Sequence, residues 1–330
     1  MAVEPVLEVR NLHVSYGSYE GRLRVLDGVE LELYEGERVG LVGETGCGKT
    51  TTMKSILRLL PPNGRIDEGS IRLRGTETLG LTEDEMGGLR GAQATAIFEN
   101  PSAALNPVFT VGQQLGEVIT QRIHHSQNRS PDSGEVLRAA VQALRDVSLP
   151  DPERLLRSYP LELSGGMKQR VCIALALAAL GGEGAVLLAD EPGTALDVTI
   201  QDQILRLLNS IVTTHHLALL HIEHSLAVVR EWTDRLYVMY AGTTVEQAPT
   251  RQLFANPVHP YTLGLLAAVP RLTGGGLAQG IPGRMPDYTH PPRGCRYYPR
   301  CPFRMDMCLE APPRLREVEP GHQVACYRSV

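Results

Sequence analysis

Eight consecutive residues, GETGCGKT from Gly43 to Thr50, restrict the possible folds of this chain more than any other feature. A short apolar run, residues 38–42, precedes them and a helix-like segment follows, so the predicted order is strand, loop and helix. Such a loop turns backbone N–H groups towards phosphate oxygens, its lysine reaches the β and γ phosphates, and its last hydroxyl binds Mg²⁺. Lysine occurs only at positions 49, 54 and 168, which makes a chance match rare. The predicted phosphate-contacting residues are Gly43, Glu44, Thr45, Gly46, Cys47, Gly48, Lys49, Thr50 and Thr51.

A pair of acids follows a second apolar run. Residues 185–189 are all apolar, and Asp190 and Glu191 come next. A buried strand that ends in two carboxylates places one of them to hold Mg²⁺ and the next to orient or deprotonate an attacking water. Acid pairs are also common in ordinary loops, but this one lies downstream of a phosphate loop. The sequence therefore predicts a metal-binding role for Asp190 and a catalytic role for Glu191.

The segment LSGGMKQR opens an apolar helix with Ser164, Gly165 and Gly166. Serine before a helix is a common N-cap, which is the simpler interpretation. Two glycines in the first turn weaken a helix by roughly 1 kcal/mol each, so they need a purpose such as the close approach of a phosphate.

The order of elements predicts an α/β fold. Apolar and polar residues alternate through residues 7–14 and 29–33, as in antiparallel strands. Residues 101–159 are mostly polar with helical spacing, and strands then alternate with helices from 165 to 240, as in a mainly parallel sheet. Beyond Pro257 the chain becomes proline-rich, and LTGGGLAQG is linker-like.

Composition excludes several classes of protein. Hydrophobic residues make up 42% of the chain and charged residues 21%, which is ordinary for a folded protein. The net charge of −5 provides no basic surface for nucleic acid. The first residues lack the pattern of a signal peptide, and no apolar run is long enough to span a bilayer, so we expect a cytosolic chain.

Together these segments resemble the nucleotide-binding subunit of ATP-binding cassette (ABC) transporters. The resemblance rests on GETGCGKT, LSGGMKQR, LLADEP and a later histidine, His224, and covers roughly residues 5–255. It implies a P-loop NTPase cassette with a RecA-like core, an antiparallel β-subdomain and an inserted helical subdomain at about 101–160. The implied domains are a cassette at 1–256 and a C-terminal extension at 257–330.

The resemblance also implies individual roles at a site that binds ATP and Mg²⁺. Tyr16 corresponds to the aromatic residue that stacks on adenine, although an exposed tyrosine at a strand end is the alternative. Ser164, Gly165 and Gly166 correspond to the signature that binds ATP held by the opposite subunit. Residues 195–197, with Asp197, correspond to the loop that links the two subunits. His224 corresponds to the switch histidine at the γ-phosphate, and a satisfied core histidine is the weaker alternative.

Further segments resemble the oligopeptide, dipeptide and nickel importer branch: residues 101–115, 194–201, 256–270 and 294–303. That resemblance implies a peripheral ATPase on the cytoplasmic face of the membrane, with a second cassette ATPase, two permease subunits and an extracytoplasmic solute-binding protein as partners. The second cassette is a paralogue or another copy of this chain. The alternatives are a soluble ABC-type ATPase without a permease and a metal-binding regulatory protein with a vestigial ATPase.

Two positions depart from the family pattern. Glu99 stands where the family has a glutamine near the expected Mg²⁺, which predicts direct contact with the metal or, alternatively, a solvated carboxylate without a role. The usual Ser/Thr-His-Asp at the switch reads Glu223-His224-Ser225, so the histidine lacks its neighbouring acid.

The last 36 residues contain four cysteines, Cys295, Cys301, Cys308 and Cys326. Their spacing lacks the short knuckles of structural zinc, and an all-thiolate set also suits a 4Fe-4S cluster. The branch resemblance favours the iron–sulfur cluster, with zinc as the runner-up and free thiols as the third interpretation. A proline-rich extension with few apolar residues predicts that a metal would be needed to hold it together.

Overall fold

The computed structural model describes residues 4–19, 21–182, 184–194, 196–269 and 280–329. The strands are β1 (Leu7–Ser18), β2 (Gly21–Leu33), β3 (Arg38–Val42), β4 (Gly64–Leu73), β5 (Thr76–Glu77), β6 (Ala94–Ile97), β7 (Val186–Asp190), β8 (Ala218–Glu223), β9 (Arg235–Tyr240), β10 (Thr243–Pro249), β11 (Arg316–Glu319) and β12 (His322–Val324). The helices are α1 (Lys49–Ile56), α2 (Glu83–Leu89), α3 (Pro101–Ala104), α4 (Val111–Gln127), α5 (Ser133–Asp146), α6 (Pro152–Leu155), α7 (Gly165–Ala179), α8 (Val198–Thr214), α9 (Leu226–Trp232), α10 (Thr250–Ala255), α11 (Pro260–Ala267) and α12 (Met307–Glu310). Short 3₁₀ turns lie at Pro160–Glu162, Tyr298–Arg300 and Tyr327–Ser329.

The chain forms two compact units. The first contains residues 80–220 and two short earlier segments, 1–6 and 34–36. The second contains residues 7–33, 37–79 and 221–330. No helix in the described ranges is long and apolar enough to cross a membrane.

The first unit is built around packed helices and a parallel pair of strands. Helices α4, α5 and α7 contact one another, and the apolar side chains of their inner faces form one core with β6, β7 and α8. Strands β6 and β7 run parallel, with Ala94 opposite Val186 and Ile97 opposite Ala189. The predicted helical insertion and the buried strand before the acid pair are confirmed.

The second unit begins with an antiparallel sheet in the order β2-β1-β4-β5. Val9 lies opposite Leu31 of β2 and Ile71 of β4, and all three side chains are buried. The predicted antiparallel start is confirmed. The sequence analysis did not identify β4, because its residues are mostly polar and exposed.

The same unit contains the strand that precedes the phosphate loop. Strand β3 runs parallel to β9, and β9 continues through antiparallel pairing to β10, β12 and β11. The last two strands belong to the C-terminal extension, for which little regular structure was predicted. The predicted linker at residues 272–280 lies almost wholly outside the described residues.

A buried hydrogen bond between Glu246 and His322 joins the extension to β10. The Glu246 carboxylate lies 2.7 Å from His322 Nε2, and both side chains are fully buried. The same carboxylate accepts hydrogen bonds from the backbone N–H groups of Val258 (2.8 Å) and His259 (3.0 Å). Strand pairing and this carboxylate, rather than a metal, therefore hold the extension in place.

Candidate active site

The phosphate loop lies between β3 and α1, in the second unit. Gly43 and Gly48 both have positive φ, +155° and +110°. A Cβ at Gly43 would lie 2.2 Å from the carbonyl oxygen of Met239, and one at Gly48 would lie 2.6 Å from Leu26. Only glycine fits these two positions, since real Cβ atoms do not approach neighbours so closely.

Lys49 is buried and its ammonium group lies inside the loop. Its Nζ donates hydrogen bonds to the carbonyl oxygens of Gly43 (2.7 Å) and Glu44 (3.3 Å). At the far side of the loop, the N–H of Gly242 donates to the carbonyl of Cys47 at 2.7 Å. The geometry thus combines a fixed positive charge with a helix N-terminus, which is the arrangement that favours phosphate.

Two other predicted residues belong to this unit. Tyr16 on β1 is partly buried and its hydroxyl donates to Oγ1 of Thr51, on α1, at 3.3 Å. The structure therefore places the predicted adenine-stacking ring beside the helix that begins at the loop. His224 follows β8 directly and its side chain is exposed. Its neighbour Glu223 is fully buried, with Oε1 3.2 Å from Nε2 of His221.

The acid pair lies in the first unit. Asp190 is the last residue of β7 and is 6% exposed. Glu191 has a φ of +48°, which is uncommon for a residue with a side chain. The hydroxyl of Thr194 donates to Oε2 of Glu191 at 3.3 Å. The two successive carboxylates therefore differ in burial, since Glu191 is only partly buried.

The signature segment opens α7 in the same unit. Ser164 is the N-cap and its hydroxyl accepts a hydrogen bond from the N–H of Met167 at 3.3 Å. A Cβ at Gly166 would lie 2.9 Å from Ile200 of α8, and one at Gly165 would lie 3.2 Å from Leu196. Close packing of α7 against these two residues therefore gives the glycines a structural purpose beside the predicted phosphate contact. Asp197 caps α8 by accepting from the N–H of Ile200 at 3.0 Å, while Ala195 lies outside the described residues.

The chain matches two known protein families. Residues 26–194 match the ABC transporter family. The chain belongs to this family. Residues 245–308 match a second family, the C-terminal region of oligopeptide/dipeptide transporters. The cassette fold and the ATPase class predicted from the sequence are confirmed.

Relatives and solved structures agree with this assignment. The chain is 44% identical to a probable peptide ABC transporter ATP-binding protein of Sinorhizobium fredii, over 98% of this chain and 95% of the relative. It is 43% identical to the dipeptide transport ATP-binding protein DppD of Bacillus subtilis, over 98% and 95%. The ATP-binding cassette MJ0796, solved as a dimer with ADP and Pi, superimposes with a TM-score of 0.63 at 26% identity, covering 74% of this chain and 99% of that one.

Glu99 is one of the two positions expected from the sequence to depart from the family pattern. It lies two residues beyond β6 in the first unit, and its side chain is exposed. The next residue, Asn100, caps α3 by accepting from the N–H groups of Ser102 (3.0 Å) and Ala103 (3.3 Å). Glu99 therefore lies directly before a capped helix start, with an exposed side chain.

The iron–sulfur prediction is wrong, and so is zinc as its runner-up. Within the described residues, no group of three or more histidine, cysteine or acidic side chains is arranged to hold a metal ion. The names of the relatives refer to ATP binding and peptide transport only. The cysteines at 295, 301, 308 and 326 line a common cavity together with Tyr297, Phe303 and Tyr327.

Burial explains the chemistry of these cysteines. All four are free thiols, and burial raises the pKa of Cys295 to about 11 and also raises the pKa of Cys301 and Cys326. A protonated, buried thiol packs as a small apolar side chain. Cys295 and Cys301 accordingly pack against the core of the second unit. These two thiols therefore contribute to packing in the extension.

The sequence analysis missed four residues of the extension that contact the cassette near the loop: Tyr261, Tyr288, Arg296 and Arg300. The buried Arg296 donates to the carbonyl oxygens of Ala241 (2.5 Å) and Arg24 (3.1 Å), and its guanidinium lies 3.1 Å from Asp27. Desolvation lowers the pKa of Arg296 from its ordinary value. Nothing in the local sequence signals these contacts, because their partners lie 55 to 272 positions away.

Proposed function

We propose that this chain is the ATP-hydrolysing subunit of an ABC importer for peptides or a similar small solute. The observation that carries the proposal is the presence, in one chain, of the cassette match at 26–194 and the oligopeptide/dipeptide match at 245–308. The peptide and dipeptide transport named for its relatives supports the same solute class. In this proposal the cassette is residues 1–256, its helical subdomain about 101–160, and the extension 257–330.

ATP binds at the phosphate loop. Backbone N–H groups within residues 43–51 surround the phosphates, whereas that of Glu44 donates to Tyr261. Lys49, whose Nζ lies 2.7 Å from the Gly43 carbonyl oxygen, neutralises the phosphate charge. Tyr16 stacks on the adenine, which its position beside Thr51 supports. Both contacts hold the nucleotide without taking part in bond breaking.

In this proposal, Thr50 and Asp190 would supply oxygen ligands to Mg²⁺, with Glu99 as a further carboxylate. Hydroxyl and carboxylate oxygens are the donors that this hard cation prefers, so the side chains present fit it. When bound, the ion neutralises charge on the β and γ phosphates. Asp190 is suited to this task because its burial keeps the carboxylate in one position.

Glu191 orients the water that attacks the γ-phosphate, and accepts its proton. A group of this kind contributes typically 10²–10⁴-fold to a rate. The positive φ of Glu191 and its hydrogen bond from Thr194 support a fixed direction for the carboxylate. His224 contacts the γ-phosphate, and its exposure after β8 leaves the imidazole accessible to a ligand.

Each ATP is shared with a second cassette, which is a paralogue or a copy of this chain. Ser164, Gly165 and Gly166 contact the ATP of the partner, and Asp197 lies in the loop that joins the two subunits. The exposure of Ser164 and Asp197 is compatible with such an interface. The similar cassette solved as a dimer with ADP and Pi supports it further. An isolated, monomeric chain should therefore hydrolyse ATP slowly.

Permease docking is assigned to the helical subdomain. A groove of about 730 Å³ there is lined by Phe109, Val118 and Leu175 together with glutamine and glutamate side chains. Beside it Val108 is 71% exposed and Phe109 47%, which is unusual for apolar residues and typical of a protein contact. In this proposal a cytoplasmic loop of a permease fills the groove. The chain is then peripheral on the cytoplasmic face, in a complex with two permeases and an extracytoplasmic solute-binding protein.

The test is peptide-dependent ATP hydrolysis and uptake by the complex in proteoliposomes. Permeases and a solute-binding protein from the source organism are reconstituted with wild-type chain or with Glu191→Gln. We expect oligopeptide and the solute-binding protein together to raise ATP hydrolysis several-fold and to drive peptide uptake with wild-type chain only. A rate of ATP hydrolysis that does not change when peptides or permeases are added would instead favour an ABC ATPase without a transport partner.

A further inference from the structure

Arg300 of the extension binds Glu44, the second residue of the phosphate loop. The guanidinium of Arg300 forms a two-pronged ion pair with Glu44, with Nη1 to Oε2 at 2.6 Å and Nη2 to Oε1 at 3.0 Å. The side chain of Arg300 is 4% exposed and that of Glu44 is 29% exposed. Parallel contacts of this kind fix both distance and orientation, which a single charge contact does not.

Two tyrosines of the extension bind the backbone of the same loop. The N–H of Glu44 donates to the hydroxyl of Tyr261 at 2.9 Å. The hydroxyl of Tyr288 donates to the carbonyl oxygen of Gly46 at 2.7 Å. With the arginine, three contacts from residues 217 to 256 positions away converge on two neighbouring sites of the loop.

These contacts come from groups that are themselves fixed. Tyr261 is fully buried, and its ring lies 4.7 Å from that of Tyr240 and 5.5 Å from that of Tyr297. Arg300 also donates to the carbonyl oxygens of Pro282 (2.9 Å) and Ile281 (3.0 Å). The hydrogen bond to Glu44 raises the pKa of Arg300 above its ordinary value, so the guanidinium stays charged.

A glycine-rich loop needs such support to bind phosphate well. Glycine has more backbone freedom than any other residue, and a loop that must order itself on binding loses that entropy at the expense of affinity. Contacts that order the loop beforehand improve affinity without touching the ligand. The three contacts reach the loop at Glu44 and Gly46, whereas the Lys49 ammonium group bonds to the carbonyl oxygens of Gly43 and Glu44.

We propose that the C-terminal extension holds the phosphate loop in its nucleotide-binding conformation, with Tyr261, Tyr288 and Arg300 as positioning residues that act through Glu44 and Gly46. This inference rests on the proposed function, since it assumes that the loop binds ATP. It assigns the extension a role in nucleotide affinity.

The first test compares two Tyr-to-Phe variants of the full chain by equilibrium binding of ATP with Mg²⁺. Tyr288→Phe removes the hydroxyl that binds Gly46 and should weaken ATP binding about 3- to 10-fold, the usual range for one hydrogen bond. Tyr297→Phe is the matched control: it belongs to the same aromatic cluster, but no hydrogen bond joins its hydroxyl to the loop in the described structure. It should change affinity less than about twofold.

The second test separates positioning from a loss of folded protein. In the assembled transporter, Tyr288→Phe should raise the KM for ATP and leave kcat unchanged, because only binding is affected. A merely structural role would lower the amount of active protein, and hence the apparent kcat, at constant KM. An unchanged KM together with a lowered kcat would overturn the proposal.

The third test asks whether Arg300 acts through Glu44. Arg300→Met should weaken ATP binding about tenfold, in keeping with a hydrogen bond to a charged group. If the two side chains act as a unit, Arg300→Met with Glu44→Gln should lose little more than Arg300→Met alone. Losses that multiply would overturn the assigned route.

The outcomes also distinguish this inference from the proposed function. Lys49→Ala should weaken ATP binding strongly in every case in which the loop is the nucleotide site. If wild-type chain binds ATP and Lys49→Ala does not, unchanged affinity in Tyr288→Phe and Arg300→Met overturns the inference alone. If wild-type chain binds no ATP, the proposed function and this inference both fail.

Discussion

The phosphate loop is shaped by residues close together in sequence, whereas the C-terminal extension acts on that loop from far away. Lys49 bonds to the Gly43 carbonyl oxygen six positions before it. Tyr288 and Arg300 reach Gly46 and Glu44 across 242 and 256 positions. The local contacts follow from a pattern of glycines, while the distant ones depend on the fold of the whole second unit.

Because of this difference, substitutions in the two regions should affect ATP binding differently. A change in the loop alters the binding conformation directly, so its effect on ATP binding should be large. A change in the extension acts through packing and a few hydrogen bonds, so its effect should be graded and depend on conditions such as pH.

The largest effect is expected from Gly43→Ala. Its Cβ would overlap the Met239 carbonyl oxygen at a φ of +155°, so the loop must shift. Strain and displacement of about 3 kcal/mol correspond to about 100-fold weaker ATP binding. Affinity for ATP with Mg²⁺ is measured by equilibrium titration of the full chain.

The control is Gly36→Ala, in the turn before β3. Gly36 also has a positive φ, +71°, but a Cβ there meets nothing within 4 Å. Its variant should lose stability and keep ATP affinity within about twofold. Equal losses of affinity in both variants would mean that the local geometry of the loop does not determine binding.

A smaller effect is expected when the pH is lowered, because the buried His259 of the extension makes the free energy of unfolding depend on pH. Its Nδ1 accepts a hydrogen bond from the N–H of Tyr261 at 3.0 Å and caps α11. Burial lowers the pKa of His259 to about 3, against an unfolded value near 6.5. As the pH falls below 6.5 the unfolded chain gains a proton that the folded chain does not, so this histidine reduces the free energy of unfolding by about 1.4 kcal/mol per pH unit.

The matched variant is His259→Asn, whose side-chain oxygen can still cap the helix and does not titrate. We expect its urea unfolding to show a shallower loss of stability between pH 6.5 and 5 than that of wild type. Trp232, the single tryptophan, belongs to the second unit and reports its unfolding. If the free energies of unfolding of the two proteins depend on pH in the same way, His259 is not held neutral by burial.

The smallest effect is expected from Glu99→Gln, in the first unit. An exposed carboxylate near a cation contributes about 0–1 kcal/mol, so its loss should raise the Mg²⁺ concentration for half-maximal ATPase about two- to fivefold. ATP affinity at saturating Mg²⁺ should stay nearly unchanged. The measurement is a Mg²⁺ titration of the assembled transporter, and superimposable curves would mean that Glu99 carries no metal chemistry.

Local pattern predicted most of the cassette. Strand β3 and the helix α7 were found because apolar runs and a serine cap mark them in the sequence. Strand β4 was not predicted because its many polar, exposed residues leave no clear alternation of apolar and polar residues. The cysteines were misinterpreted because their spacing in the sequence suggested a metal site. In the structure, the buried contacts of Glu246 and the pairing of β10 with β12 hold the extension.

The candidate site divides in the same way. Glycine and lysine at 43–49 identify a phosphate loop from the sequence alone, since few other uses require them at that spacing. Tyr261, Tyr288 and Arg300 have no such signature, because a tyrosine or an arginine is compatible with many surroundings. Their role depends on which backbone atoms the fold brings within hydrogen-bond distance.

Glu191→Gln separates ATP binding from ATP hydrolysis and so measures directly whether Glu191 activates the attacking water. The variant keeps every phosphate contact of the loop and loses the carboxylate after β7. We predict ATP affinity within about twofold of wild type and turnover in the assembled transporter reduced by about 100-fold or more. Turnover near the wild-type rate would contradict the assignment of Glu191 and, with it, the proposed mechanism of ATP hydrolysis.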